Sequence, residues 1–443
     1  MEKLELGWDK IINTKDILPA DHKYLTFLKK VFRHEFRKNG FRRLSTPFFD
    51  DTNFFEGIFW EKMNDNMYNF NLEGNWNVWL TPNPSILNFK AYIENERSEE
   101  IQPVYSYFMD RFYPKNNQNN IDWMALFWWD VIWEHDVIID IQNLFITTNI
   151  LNKVGLKWKY EVIYNFIWNN KEIDKYKENL AEFYSDKKHL LSDEWLNLLE
   201  TDILKLFSTK NEDEQILKQT APKISKCYKK ESKKDVVKAK EFLEFLDLDY
   251  TQDDYLFPQY EFNDWVVWEI RLIWDEKTEF DDDILAKWYW YNQLSLSMGT
   301  PKEIPWSWFW VDTFKIIDIL KKNNISIKNK DNLDLFFIQL WDDAKKVVFP
   351  ISIAAREAWI KTAISLWTPS IKEQMLKAQR SEATYIVIVW FVEAKKWIFQ
   401  VRNLEDWTQE EIPKDELIEY IINKIWKDSL DFYDPSKELL EEK

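Results

Sequence analysis

The sequence predicts a chain of mixed α and β structure in two parts: a larger part interrupted by a helical insert, and a smaller C-terminal α/β domain. Three observations predict this. The 443 residues exceed one ordinary domain and 45% are hydrophobic, enough to bury a sizeable core. From about 170 to 248 the pattern turns helical, polar and rich in Lys and Glu. Beyond about 330, strands and helices alternate, which is the order of a small parallel-sheet α/β unit.

Residues 20 to 38 place apolar side chains at helical spacing, and Asn39-Gly40 closes that helix. FRRLSTPFFDD follows as a strand-like run broken by Pro47, which suits an edge or interface strand. Segments 66 to 80, 103 to 113 and 122 to 133 read as strands, with a helix over 85 to 95. A second long helix over 137 to 155 ends at Gly155, and 157 to 167 is again extended. After the insert, strands return at 255 to 275 and a helix covers 311 to 323. NISIKNKDN (324 to 332) is the linker. LDLFFIQL, IKTAISL and TYIVIV then read as strands between helices, followed by a hairpin and a helix over 414 to 426. Residues 431 to 443 read as a frayed tail.

Composition excludes several classes. No apolar run approaches the roughly 18 residues of a spanning helix, and the opening MEKLELGWDKIINTKD has charges where a signal peptide needs an apolar stretch. The one cysteine, Cys227, forms no internal disulfide, and four scattered histidines make no metal site. A cytoplasmic protein with neither membrane nor DNA as partner is expected. The net charge of −17 leaves room only for a local basic face on an acidic body.

The anomaly is glycine against tryptophan. The chain has 6 glycines and 26 tryptophans; together they make about 7% of residues, the usual share of glycine alone. Trp128-Trp129, Trp288-Tyr289-Trp290 and Trp306-Ser307-Trp308-Phe309-Trp310 are improbable as packed core, because each indole demands about 200 Å² of burial. Read as glycine, they become tight turns and close backbone approaches. Trp359, Trp390, Trp397 and Trp407 fall where a helix or strand should end. Most of these letters therefore read as glycine positions, through a stop codon decoded as glycine; the alternative is a protein truly rich in tryptophan.

With that substitution the chain resembles the histidyl-tRNA synthetase family of class II synthetases over about 420 residues. INTKDILP (12 to 19) is similar to the family's N-terminal signature, and GFRRLSTPFFDDTNFF (40 to 55) to its motif 1, whose proline is Pro47 and which forms the family's dimer interface. REAWIKTAISLW, SIKEQMLKAQRSEATYIVIVW and IFQVRNLEDW resemble its anticodon-binding domain. The resemblance implies an α+β class II core over 1–325, an antiparallel sheet flanked by helices with the insert at about 170–248. It also implies an α/β anticodon-binding-type domain over 330–430, a homodimer and tRNA as partner. A regulatory relative, found with the first enzyme of histidine biosynthesis, resembles only the catalytic part, and the anticodon-like domain argues against it.

Activation of an amino acid sets a carboxylate against the α-phosphate of ATP, so fixed cations must meet the charge at phosphorus. The family's motif 2 Arg-x-Glu is here Arg111-Phe112-Tyr113, its histidine-loop arginine is Pro258, and its motif 3 arginine is Thr313. Tyr113, Pro258 and Thr313 are thus degenerate activating positions, and Arg111 is the remnant, set against an ordinary strand-edge arginine. In the substrate pocket that the resemblance implies, Asn83 replaces a glutamate, Ser85 a threonine and Asp130 a longer acid, while Tyr291 is kept. Asp130 reads equally as a structural hydrogen-bonding group, and Tyr291 more readily as a packed aromatic. Lys372 and Gln374 lie where the family's domain approaches tRNA, against the default of a solvated helical face. The lysines of 229 to 240 divide likewise between RNA contact and exposed helix, and Arg271 is a candidate replacement cation.

Two functions follow from the resemblance. One is ATP-dependent attachment of histidine to its tRNA, which requires ATP and Mg²⁺. The other is a catalytically silent paralogue that binds tRNA or regulates a partner and needs no cofactor.

Overall fold

The computed structural model describes residues 17–58, 68–72, 76–81, 83–112, 124–133, 136–168, 170–208, 212–257, 264–273, 284–325, 327, 333–365 and 370–425. The chain divides into two units, Met1–Ser326 and Ile327–Lys443.

The first unit opens with helix α1 (Pro19–Lys38), begun by a proline at its first turn and closed after Asn39 by Gly40. Strands β1 (Arg42–Arg43) and β2 (Phe49–Asp51) flank Pro47, and α2 (Thr52–Ile58) follows. Next come β3 (Asn69–Leu72), β4 (Trp76–Leu80), α3 (Pro84–Glu94), β5 (Val104–Phe112), β6 (Met124–Ile132), α4 (Val137–Lys153) and β7 (Tyr160–Trp168). The insert is helical as its sequence predicts: α5 (Asn170–Ser185), α6 (Asp193–Thr201), α7 (Glu212–Gln219) and α8 (Lys230–Phe245). The chain returns through β8 (Thr251–Gln252), β9 (Asp264–Leu272), β10 (Ile284–Trp290), α9 (Leu294–Ser297), β11 (Trp306–Asp312) and α10 (Thr313–Lys322).

Eight strands form one sheet in the order β1-β5-β6-β11-β10-β9-β7-β8. Its six central strands are antiparallel, while β1 on β5 and β8 on β7 add parallel pairs at the edges. The expected antiparallel sheet is therefore mixed at its margins. A second sheet, β2-β4-β3, leaves Phe48, Phe49, Phe70 and Leu72 exposed.

Successive side chains of a strand point to opposite faces, so the sheet has two lives. On one face Phe32 and Phe36 of α1 pack on Phe127, Tyr107 and Trp129, and Asn143 of α4 accepts from the Trp129 indole at 2.7 Å. On the other, α3 lies over Asp130 and Trp306.

Two expectations are corrected here. The segment 284 to 312 contains β10 and β11, which the sequence reading left unassigned, and the helix begins at Thr313 rather than at 311. Both faces of these strands are covered, so the period-two signal that marks a half-buried strand is missing. Trp128, Trp129, Trp288, Trp290 and Trp306 are not at tight turns either. They are fully buried in strands, with a register shift against β9 between Trp288 and Trp290; the ring centroids of Trp129 and Phe309 stand only 3.6 Å apart, closer than the usual 4.5–7 Å.

The second unit contains β12 (Leu335–Gln339), α11 (Trp341–Glu357), β13 (Thr362–Ile364), α12 (Ile371–Arg380), β14 (Tyr385–Val389), α13 (Phe391–Lys396), β15 (Ile398–Asn403), β16 (Gln409–Pro413) and α14 (Leu417–Lys424). Its sheet runs β13-β12-β14-β15-β16; β12 is parallel to β13 and β14, whereas β15 and β16 are antiparallel. The parallel strands are the expected α/β core, and the expected hairpin adds two antiparallel strands at one edge. Every residue of β12 and β14 is buried, with Phe337 and Val387 in one cluster and Phe336 and Ile386 in the other. The tail from 431 lies outside the described residues.

Gln374 fastens this unit. It is fully buried on α12, its side chain accepting from the Gln339 N–H at 3.0 Å and donating to the Gln339 carbonyl at 2.8 Å. Gln374→Ala leaves both backbone groups unpaired in the core. The expected cost is about 1–3 kcal/mol, read as a lower midpoint in urea denaturation; a midpoint equal to that of the parent chain contradicts this role.

Candidate active site

The residues gathered beneath α3 begin with its N-cap. Asn83 Oδ1 accepts from the Ser85 N–H at 2.9 Å, and Asn83 Nδ2 donates to the Tyr291 hydroxyl at 2.9 Å. Pro84 at the first helical position then aims Ser85 and Asn88, one turn apart, at the sheet. Ser85 Oγ donates to Asp130 Oδ1 at 2.5 Å, and Asn88 Nδ2 donates to Asp130 Oδ2. Trp306 Nε1 donates to Ser85 Oγ at 3.1 Å, with its ring stacked on Phe89 at 4.6 Å. Asn83, Ser85, Asp130 and Tyr291, separated by up to 208 positions, thus form one connected network. Asn88 and Trp306 complete it; Asn88 was legible only as the residue three positions after Ser85.

Asp130 is wholly buried, and burial pushes its carboxyl up to about 7 against the hydrogen bonds from Ser85, Asn88 and Trp306. A carboxyl of this kind exchanges a proton near neutrality and pairs with a cation admitted beside it. On the opposite face Asp140 of α4 is also buried. Its Oδ1 accepts from Trp288 Nε1 at 2.5 Å and from Trp290 Nε1 at 2.8 Å, while Oδ2 has no hydrogen-bond partner among the described residues. Burial raises it to about 8, opposed by the two indole N–H groups. No feature of the sequence reading pointed to Asp140, since an acid inside an apolar helical pattern looks solvated until its face is known.

The positions that the resemblance gives to activation lie at another end of the same sheet. Arg111 pairs in register with Ala125, and Leu126 with Asp312, so Arg111 and Thr313 share one margin. Arg111 is exposed there. Thr313 is fully buried as the first residue of α10, behind Asp312, which accepts from the N–H groups of Phe314 and Lys315. Arg271 reaches toward that margin from β9, but its Nε and Nη2 donate to Glu269 Oε2 at 2.9 and 2.7 Å. Lys287 also pairs with Glu269, at 3.1 Å. Tyr113 and Pro258 lie outside the described residues.

The remaining predicted residues are dispersed. Pro47 is exposed between β1 and β2. Lys372 is exposed on α12, whereas Gln374 is internal, which corrects its assignment to an RNA-facing surface. On the insert, Lys230, Lys233, Lys234 and Lys238 line an open groove with Val237 and Glu241; Lys238 is tied to Asp136 at 2.7–2.8 Å. Among the described residues no group of three or more His, Cys, Asp or Glu could hold a metal, and no helix is long and apolar enough to cross a membrane.

Comparison with known proteins bears on both units. Residues 343–424 match a family model described as an anticodon binding domain. The chain is 21% identical over 428 residues to the histidine--tRNA ligase of Lactobacillus johnsonii, covering 93% of this chain and 98% of that protein. It is 24% identical over 411 residues to the histidine--tRNA ligase of Halothermothrix orenii, covering 92% and 97%. The apo histidyl-tRNA synthetase of S. aureus superposes with a TM-score of 0.75 at 22% identity, covering 92% of this chain and 97% of that one.

The two buried carboxyls fix a pH dependence. Both folded values lie above the ordinary 3.8, so their contribution to stability is full below about pH 4 and is lost as pH rises through about 7 and 8. In the chain carrying tryptophan at 288 and 290, Asp140→Asn should flatten the part of this loss nearest pH 8. Urea midpoints measured across that range check it, and an identical pH profile for parent and variant rules out the titration of Asp140.

Proposed function

Because this chain belongs to the histidyl-tRNA synthetase family, we propose that it is a cytoplasmic, tRNA-binding member whose sheet does not activate histidine. The observation that carries this reading is Thr313. The position that the resemblance gives to the motif 3 arginine holds a neutral side chain, fully buried at the start of α10. No cation can reach a triphosphate from there. Loss of one such fixed donor or cation costs roughly 10²- to 10³-fold in rate. Asn83, where the family holds a glutamate, donates to Tyr291 and supplies no charge to an ammonium group.

The triphosphate of ATP fits these residues poorly, because Arg271 and Lys287 on this part of the sheet share the buried Glu269 as counter-charge. Binding of tRNA is assigned to the second unit, on the strength of its anticodon-binding match. Exposed Lys372 and the insert's Lys230, Lys233 and Lys234 are surfaces on which phosphate charge can be met. A homodimer through the strands around Pro47 would cover the exposed Phe48, Phe49, Phe70 and Leu72. The proposal also includes glycine at many of the 26 tryptophan positions, through a stop codon decoded as glycine.

A second reading, attachment of histidine to its tRNA, is favoured by the match along almost the whole length of the relatives. Pyrophosphate exchange with all twenty amino acids, on protein made with glycine at the reassigned positions, separates the two. The silent reading expects exchange at background together with salt-sensitive retention of tRNA in a filter-binding assay. Robust histidine-dependent exchange would establish the second reading instead.

A further inference from the structure

Seven tryptophans have left-handed backbone: Trp133 (φ 83°), Trp158 (66°), Trp265 (71°), Trp341 (66°), Trp359 (64°), Trp397 (57°) and Trp407 (62°). The other non-glycine residues with positive φ among those described are Glu96, Asp247, Asn324 and Glu382. In this region Cβ crowds the neighbouring carbonyl, so glycine is favoured, Asn and Asp are tolerated and bulky side chains are rare. Tryptophan should be among the last residues found there, yet it dominates the set.

The local motifs identify what each position requires. After α4, Gly155 N–H donates to the Asn152 carbonyl and Leu156 N–H to the Leu151 carbonyl; after α1, Gly40 and Phe41 repeat this pattern with Arg37 and Phe36. After α11, Trp359 N–H donates to Arg356 and Ile360 N–H to Ala355, at 2.9 and 3.0 Å. It is the same helix-terminating motif, with an indole in the glycine slot. Trp158 is the third residue of a turn closed by Lys159 N–H on the Leu156 carbonyl at 3.0 Å, where positive φ calls for glycine. Trp407 is the last residue before Thr408 in the loop joining β15 to β16, closed by Asn403 N–H on the Thr408 carbonyl, and its left-handed backbone is the conformation that glycine adopts most readily in hairpin loops. Trp265 lies in the stretch of β9 between Asp264 and Trp268 that has extra residues opposite Trp288–Trp290 of β10, an irregularity of the kind where glycine is favoured.

For five of the seven, burial gives little back. Trp158, Trp341, Trp359, Trp397 and Trp407 are between 43% and 76% exposed, so their indoles gain little from the hydrophobic effect while the backbone is strained. Trp195 is the contrast: buried, helical and set edge-on to Tyr184 at 5.7 Å.

We infer that the native polypeptide carries glycine at these seven positions and tryptophan at 195, the former codon being read by a glycine-bearing tRNA. This rests on the recoding reading above and assigns it to individual residues. The strand tryptophans other than Trp265 are not among the residues with positive φ and carry no such signal.

The test is mass spectrometry of tryptic peptides from the protein isolated from its own source. Glycine at most of the seven positions, with tryptophan at 195, is expected; tryptophan at most of the seven overturns the inference. A second measurement compares the recombinant chain as written with one bearing glycine at all seven. The glycine form should show a larger soluble fraction and a higher thermal midpoint, while Trp195→Gly lowers the midpoint; an equal or lower midpoint for the seven-glycine form counts against the inference. Neither readout depends on exchange activity or tRNA retention, so the functional reading and the residue assignment fail separately.

Discussion

Period-two alternation along β5, β6, β11 and β10 is the constraint from which the larger unit follows. It sends Phe127, Trp129 and Phe309 toward the helices α1 and α4, and sends Asp130 and Trp306 toward α3. Because both faces are covered, each also encloses a carboxyl. Asp130 is held by a serine, an asparagine and, through the serine, an indole; Asp140 is held by two indoles. A slip of one residue in β6 would turn Asp130 away from Ser85 and Asn88, and one in β10 would turn Trp288 and Trp290 away from Asp140. Polar satisfaction and hydrophobic packing therefore specify the same register.

The same register keeps the positions that the resemblance gives to substrate binding apart from those it gives to activation. The network joining Asn83, Ser85, Asp130 and Tyr291 lies around the N-terminus of α3, whereas Arg111 and Thr313 share another margin of the sheet. Preservation of the first does not imply preservation of the second. Asn83 still does what a helix-capping residue does, even though its charge differs from the family's glutamate. Thr313 still starts a helix, and helix initiation places no demand on the guanidinium that catalysis would need. Local folding requirements thus keep these positions ordered whatever side chain they carry, which is why a chain can keep this fold at about one identical residue in four or five to its relatives.

Much of this was legible in the sequence. Helix α1 and the helical insert announced themselves by apolar spacing and by Lys/Glu composition, because they keep an exposed face, and the largely buried α4 by its long apolar run ending at Gly155. β10 and β11 were hidden, since strands covered on both faces lose alternation and tryptophan obscured what remained. Asn83, Ser85, Asp130 and Tyr291 came from family resemblance; spacing alone cannot bring residues 83 and 291 together. Gln374 was misread for an instructive reason. A polar residue on an amphipathic helix is assigned to water by default, and only the backbone groups of Gln339 at the end of β12 turn it inward. Asp140 eluded the reading in the same way.

Decoding acts on codons and takes no account of conformation. If one codon yields glycine at the left-handed positions, every strand position written with that codon changes with them. Loss of the Trp306 indole would withdraw one donor from Ser85 and open space beside Phe89, leaving Asp130 bound to Ser85 and Asn88. Loss at both 288 and 290 is more costly, because the Asp140 carboxyl would keep neither of its two donors while enclosed by apolar side chains. Only retention of one indole, entry of water into the vacated volume, or a permanently protonated acid reconciles Asp140 with that environment. Asp140 is therefore the residue at which the identity of the strand tryptophans has a chemical consequence, just as Trp359 is the residue at which handedness betrays the turn tryptophans.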